Sequence, residues 1–261
     1  MVPRFGCRDG PVAAAIYLPT MNTIVLPTYN ERENLAHALE RIREVADGHG
    51  IQLHTLIVDD DSPDGTGELA DRLAGEHPDV AVLHRAGKEG LGKAYMAGFR
   101  KALDDGADLI FEMDADLSHD AAYLPDFIRL VEQGADVVLG SRYVPGGGVE
   151  NWGPLRKVIS RGGSLYARSI LGLPYRDLTG GYKCFRRRVL ETLDLEAIGA
   201  SGYGFQIELT YRAHQLGFRI QELPIIFVDR KVGESKMSSG IMLEAMLMVW
   251  RLRFSRRATA G

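Results

Sequence analysis

Through its first 140 residues the chain alternates short apolar runs with stretches of helical spacing, and this alternation constrains its fold more than any other feature. Residues 23–26, 53–58, 80–84, 109–113 and 136–140 read as buried strands. Between the first two, Leu35, Leu39, Ile42 and Val45 recur at the spacing of an amphipathic helix over 31–45. Further helices are expected over about 67–74, 93–103 and 123–132. Strands alternating with helices imply βαβ units, hence an α/β fold with a central, mostly parallel sheet flanked by helices. Ligands on such a sheet bind at the carboxyl ends of the strands, where this chain places its unusual residues.

The second strand runs into Asp59-Asp60-Asp61-Ser62-Pro63-Asp64-Gly65. Three adjacent carboxylates repel one another unless something binds there. The same residues are also ordinary turn chemistry, with Asp64 or Thr66 available to cap the next helix. The fourth strand ends in Met113-Asp114-Ala115-Asp116-Leu117-Ser118. Two aspartates one residue apart beyond a buried strand can both reach one hard cation, Mg²⁺ or Mn²⁺, leaving positions for a diphosphate. A third motif, Gly87-Lys88-Glu89-Gly90-Leu91-Gly92-Lys93-Ala94, nearly fits a phosphate loop. It has Ala94 where a Ser or Thr hydroxyl must hold Mg²⁺, so a kinase or ATPase is not expected and the glycines read as a loop and helix start.

After Arg142 the rhythm changes. A Pro-Gly-Gly-Gly loop at 145–148 precedes a basic amphipathic stretch over 155–171, a strand at 182–185, a helix over 205–216 and an extended pair around Pro224. A closing helix over 241–254 ends in Arg251, Arg253, Arg256 and Arg257. The formal charge of −4 conceals a division. Residues 1–140 carry 12 Lys/Arg against 25 Asp/Glu, a net of −13, whereas residues 141–261 carry 19 against 10, a net of +9. Such asymmetry suits a cation held by one half and an anion or membrane held by the other; two solvated faces are the simpler alternative. Cys7 and Cys184 are too few for a disulfide framework or a four-cysteine zinc site, and suit a reducing cytoplasm. No run approaches the ~20 apolar residues of a membrane span, and residues 12–18 are too short and poorly flanked for a signal peptide. Residues 1–22 read as a leader, with Met21 a possible second start.

Pro27-Thr28-Tyr29-Asn30-Glu31, the Asp59–Thr66 segment and Asp114-Ala115-Asp116-Leu117-Ser118-His119 together resemble glycosyltransferase family 2 enzymes of GT-A fold. Gly140-Ser141-Arg142-Tyr143, Ile159-Ser160-Arg161-Gly162, Asp177-Leu178-Thr179-Gly180-Gly181-Tyr182, Phe227-Val228-Asp229-Arg230 and Gly233-Glu234-Ser235-Lys236 narrow the resemblance to the dolichol- or polyprenol-phosphate mannosyltransferases. Asp61 departs from the small or amide residue common there, and no C-terminal membrane helices follow. The resemblance implies a catalytic domain over 23–254, with 23–140 as the nucleotide and metal half, 141–254 as the acceptor half, and a basic tail over 255–261.

It also implies roles. Pro27, Tyr29 and Glu31 would line the guanine and ribose pocket, with Val58 and Asp60 beside the base. Asp114, Ala115 and Asp116 would meet ribose and diphosphate, Asp116 and Ser118 would hold the metal, and Arg142, Arg230 and Lys236 would grip phosphates. Asp114, Asp116, Arg142 and Arg230 would be the catalytic set. The implied reaction is inverting transfer of mannose from GDP-mannose to a polyprenyl phosphate, whose anionic phosphate needs no strong general base. His119 is expected beside the site or at the surface. UDP-glucose as donor, or a non-catalytic nucleotide-sugar-binding protein, are the rivals. A lipid acceptor implies a cytoplasmic protein touching a membrane face, or a separate membrane-protein subunit, through the basic 155–171 and C-terminal segments; a helix packed on the sheet with a solvated face is the alternative. Nucleic acid is not an expected partner, because the basic residues form no recognised module.

Overall fold

The computed structural model describes residues 21–198, 202–229 and 239–254. The expected leader lies outside them as far as residue 20, as do Arg230, Lys236, Arg256, Arg257 and the 255–261 tail. The first half alternates as its pattern implies: β1 (Asn22–Thr28), α1 (Arg32–His49), β2 (Leu53–Asp59), α2 (Thr66–Glu76), β3 (Val80–His84), α3 (Leu91–Asp104) and β4 (Leu109–Glu112). A 3₁₀ turn over Ala121–Tyr123 leads into α4 (Leu124–Glu132) and β5 (Val137–Ser141). The second half adds β6 (Gly148–Glu150), α5 (Pro154–Leu171), β7 (Lys183–Arg186), α6 (Arg187–Thr192), α7 (Gly202–Gln215), β8 (Ile220–Pro224), β9 (Ile226–Val228) and α8 (Ser239–Phe254).

The main sheet has seven strands in the order β3-β2-β1-β4-β7-β5-β8. Neighbours pair in parallel except around β7, which runs antiparallel to both β4 and β5. The extended pair expected around Pro224 divides between two sheets: β8 joins β5, while β9 pairs with β6 in a separate two-stranded ribbon. The sheet is covered on both sides, which is why the middles of β1, β2, β4 and β5 are continuous apolar runs. Along β1, Ile24 and Leu26 enter the layer under α1, α2 and α4, while Val25 enters the layer under α3, α5, α7 and α8. Alternation along β4 likewise sends Phe111 to the first layer and Ile110 to the second.

Gly98 sets how closely α3 lies on the sheet. A Cβ there would stand 2.3 Å from Val25 Cγ1 and 3.1 Å from Val58 Cγ2, so only glycine admits the observed approach. At the other end, α8 packs on α5 and α7, burying Met248, Val249 and Leu252. One face of this helix is core, as the packed alternative expects, and the other leaves Met246, Leu247, Trp250 and Phe254 exposed.

Candidate functional site

Because β2 and β4 flank β1, the chain's direction of progress across the sheet reverses beside β1. The loops leaving β1, β2 and β4 therefore open a crevice at their carboxyl ends, the usual ligand position on such a sheet. Tyr29 and Glu31 follow β1, Asp59 and Asp60 end β2, and Asp114 and Asp116 follow β4.

The aspartates after β2 do not converge on one ligand. Asp59 is buried and accepts hydrogen bonds from the Thr28 and Ser62 hydroxyls and the Ser62 amide. Asp61 takes a left-handed conformation at φ 56°. Asp64, one residue before the Gly65 N-cap of α2, accepts the amide and hydroxyl of Thr66 and the Arg32 amide. Burial opposes the charge on Asp64, but the Thr66 and Arg32 hydrogen bonds hold its carboxyl below the ordinary range. Turn chemistry thus accounts for Asp59 and Asp64. Asp60 is buried against the Arg85 guanidinium; burial outweighs that partner and raises its pKa.

The rest of the expected base pocket is only partly brought together. Lys88, in the glycine loop, sits 3.9 Å over the Tyr29 ring, so that loop covers the Tyr29 end of the crevice. Glu31 accepts from the Asn34 amide, while its own N–H donates to the Thr66 hydroxyl. Pro27 is half-buried on β1. The Val58 side chain is fully buried in the layer under α3, near Gly98, rather than at an open pocket wall.

The turn after β4 is the most constrained part. The Asp114 amide donates to His119 Nδ1 at 3.0 Å, and the Asp114 carboxylate accepts the Tyr95 hydroxyl at 2.9 Å. His119 is buried beneath the turn, stacked on Tyr182 with ring centroids 4.8 Å apart. Burial lowers its pKa, and an accepting Nδ1 places the proton of the neutral ring on Nε2. His119 therefore braces the turn from within, and is not a surface residue. Leu117 adopts φ 65°, a costly conformation for a bulky side chain that tightens the turn around Ala115, itself buried.

Asp116 and Ser118 are tied to each other within that turn. The Ser118 amide donates to Asp116 Oδ1 at 3.1 Å, while the Ser118 hydroxyl is buried and hydrogen-bonds to nothing. A buried hydroxyl beside a carboxylate suits a hard divalent cation, and these residues fit one. Among the described residues, no three His, Cys, Asp or Glu side chains form a complete metal cage. The donor set leaves room for substrate oxygens.

Behind this turn lies a polar group in the sheet itself. Glu112 and Lys183 are register partners across β4 and β7, both almost completely buried. Burial raises the Glu112 carboxyl to about 8, with Lys183 opposing; burial lowers Lys183 to about 8, with Glu112 opposing.

Opposite the aspartates stands a basic and aromatic cluster. Arg142 donates through Nε and Nη2 to both oxygens of buried Asp177, at 2.7 and 2.8 Å, and through Nη2 to the Thr179 hydroxyl. Its guanidinium lies 5.2 to 5.6 Å from the Tyr143, Trp152 and Phe227 ring centres. Arg156 pairs with Asp229 at 2.7 Å and lies 4.2 Å over Trp152, and the Tyr143 hydroxyl donates to Ser160. Of this group, sequence reasoning had Arg142 alone as a site residue. Tyr143 and Phe227 belong to motifs that carry the resemblance but have no role assigned by it, while Arg156 and Trp152 carry no signal beyond charge and apolarity. The two clusters meet directly: the His119 and Phe227 rings lie 5.6 Å apart.

A sheet that reverses beside paired aspartates, faced across the crevice by arginines, has the architecture of a sugar-nucleotide transferase. The chain belongs to glycosyl transferase family 2, whose pattern matches residues 23–194. It is 50% identical over 233 residues to the undecaprenyl-phosphate mannosyltransferase of Micrococcus luteus, covering 89% of this chain and 94% of that protein. It is 49% identical over 239 residues to the polyprenol monophosphomannose synthase of Mycolicibacterium smegmatis, covering 90% and 89%. The structure of Mycobacterium tuberculosis glucosyl-3-phosphoglycerate synthase with Mn²⁺, UDP-glucose and phosphoglyceric acid aligns with a TM-score of 0.66 at 17% identity. That alignment covers 90% of this chain and 80% of the other, and it places this chain in the GT-A fold.

Proposed function

We propose that this protein transfers mannose from GDP-mannose to a polyprenyl phosphate with inversion, releasing GDP. The observation that carries the reading is the contact of two opposed clusters, an aspartate turn and an arginine–aromatic patch joined through His119 and Phe227. The names of two relatives at about half identity supply the sugar and the lipid phosphate.

In this reading Tyr29, Glu31 and Asp60 hold the nucleoside, with Lys88 and the glycine loop above it. Pro27 and the Val58 backbone form the floor of that end. Asp114 and Ala115 position ribose and diphosphate; Asp114 is oriented for this by Tyr95 and His119. A divalent cation, Mg²⁺ or Mn²⁺, held by Asp116 and Ser118 would neutralise charge developing on the leaving diphosphate. Arg142, with Arg230 and Lys236 from the segment after β9, gathers the acceptor phosphate. An acceptor phosphate is already anionic at neutral pH, so placement in line with the anomeric carbon does the work of a base. The buried Arg142–Asp177 pair fixes the guanidinium in advance of binding.

The acceptor's lipid places the protein at a membrane surface. No helix among the described residues is long and apolar enough to cross a membrane. The face of α5 bearing Leu155, Val158 and Leu165 is exposed, and α8, packed beside it, exposes Met246, Leu247, Trp250 and Phe254. Lys157, Arg161, Arg168, Arg251 and Arg253 flank these apolar residues by helical spacing. Apolar side chains rimmed by cations suit an anionic bilayer, each cation contributing ~1 kcal/mol. Flotation with anionic vesicles tests this: reversing Arg251 and Arg253 to glutamate should reduce binding, and unchanged binding removes α8 from the contact.

Transfer itself is tested by incubating the protein with polyprenyl phosphate, a divalent cation and either GDP-mannose or UDP-glucose. Mannosyl lipid formed from GDP-mannose supports the reading. Glucosyl lipid from UDP-glucose alone replaces the donor, and no product with either donor leaves a binding protein.

A further inference from the structure

Both polar atoms of the Gln206 side chain are buried near the aspartate turn without a hydrogen-bond partner, although its own backbone and its neighbour Phe205 are held in place. Its backbone carbonyl accepts Lys183 Nζ at 2.8 Å and the Thr210 hydroxyl at 3.0 Å. Its neighbour Phe205 stacks on Tyr95, ring centres 6.0 Å apart, and Tyr95 in turn donates to Asp114. The Gln206 amide is buried and faces Glu112, where it opposes the rise that burial imposes on the carboxyl, yet neither amide atom nor either Glu112 oxygen makes a hydrogen bond of good geometry. Buried amides and carboxylates are rarely left this way in a folded protein.

Gly181 leaves space in front of that amide. A methyl group at Gly181 would lie 3.3 Å from Gln206 Nε2, 3.8 Å from His119 Cε1 and 3.9 Å from Asp114 Oδ2. Gln206 thus borders the same small space as the first aspartate of the turn, beside the diphosphate position. Its amide offers two donors and an acceptor, and Glu112 offers further acceptors. Sugar hydroxyls both donate and accept, which is the complement these unsatisfied atoms lack.

We propose that Gln206, backed by Glu112, binds hydroxyls of the donor hexose and sets which hexose is transferred. The inference rests on the sugar-transfer reading above and assigns a specificity residue within it. A site built to hydrogen-bond a hydroxyl discriminates strongly against a sugar that misplaces it, because buried polar atoms are then left without partners.

The test compares kcat/KM for GDP-mannose and its C2 epimer GDP-glucose in wild type, Gln206→Leu and Gly181→Ala, with GDP affinity measured by calorimetry. Gln206→Leu should lower kcat/KM for GDP-mannose by ~10-fold or more and shrink the preference between epimers to ~3-fold. GDP, which lacks the sugar, should bind the variant as it binds wild type. Gly181→Ala keeps the Gln206 side chain but fills the space before it and presses on Nε2, and should act in the same direction, so it carries the test if Gln206→Leu does not fold. An unchanged epimer preference in either folded variant overturns the proposal, as does a loss of GDP affinity equal to the loss of kcat/KM. A wild type that transfers glucose alone overturns the mannosyl reading; loss of that preference in Gln206→Leu would still uphold the specificity role. A wild type that transfers neither sugar overturns both.

Discussion

Arg142 and Asp177, 35 residues apart, meet in a two-pronged ion pair withdrawn from solvent, and the Arg142 amide donates to the same carboxylate. The pair joins the loop after β5 to the segment before β7. Burial alone would raise the Asp177 pKa, but Arg142 and the backbone hydrogen bonds hold it below the ordinary value. Removing one partner of a buried pair strands the other, at a cost of about 3–5 kcal/mol. Asp177→Ala should therefore lower stability to denaturant by that order; a change below ~1 kcal/mol would contradict the geometry.

The same pair has a pH signature. A carboxyl with a depressed folded pKa contributes stability that is fully present above its unfolded value of about 3.9 and lost as pH falls through the folded value. Melting curves from pH 7 to pH 2 should show wild type losing stability below about pH 4. Asp177→Asn should have a shallower decline over that window. Parallel declines would show that other carboxylates dominate.

Asp116 and Ser118 make separable predictions. Removing the Ser118 hydroxyl breaks no hydrogen bond, so Ser118→Ala should melt within ~0.5 kcal/mol of wild type while needing more divalent cation for half-maximal activity. Asp116→Ala should reduce turnover ~100-fold or more, the scale of lost electrostatic stabilisation. A metal titration superimposable on wild type for Ser118→Ala would remove that residue from the site.

Gly98→Ala tests the seating of α3. Its Cβ would clash with Val25, so the substitution should cost about 1–3 kcal/mol, and Val25→Ala should recover part of the loss in the double mutant. Additive effects would mean that the helix shifts instead of clashing.

Much of this molecule was legible in the residues. Period and punctuation placed the strands through residue 140, because all but the edge strand β3 are largely buried and each is bounded by turn chemistry. The Asp114–Ser118 turn was readable because two carboxylates and a hydroxyl sit within five residues of a strand end. The insertion of β7 between β4 and β5 was not: Lys183 and Arg186 look polar locally, and pairing to Glu112 and Leu109 is a long-range property. Three consecutive aspartates looked like one site, but Asp59 turns to Thr28 and Ser62, Asp60 pairs with Arg85, and Asp61 takes a left-handed turn conformation. Tyr143 and Phe227 stood out only as parts of the motifs that carry the resemblance, and Trp152 not at all, because the three meet Arg142 only after β6 and β9 pair. Gln206 was invisible because an unsatisfied amide can be recognised only once its surroundings are known.

The central claim is that the aspartate turn and the arginine cluster serve one transfer reaction. Transfer of labelled mannose from GDP-mannose into polyprenyl phosphate, measured for wild type and Asp116→Ala with and without added divalent cation, tests it most directly. The account predicts metal-dependent mannosyl lipid from wild type and almost none from Asp116→Ala. Equal product from both proteins, or none from wild type under any metal, would contradict it.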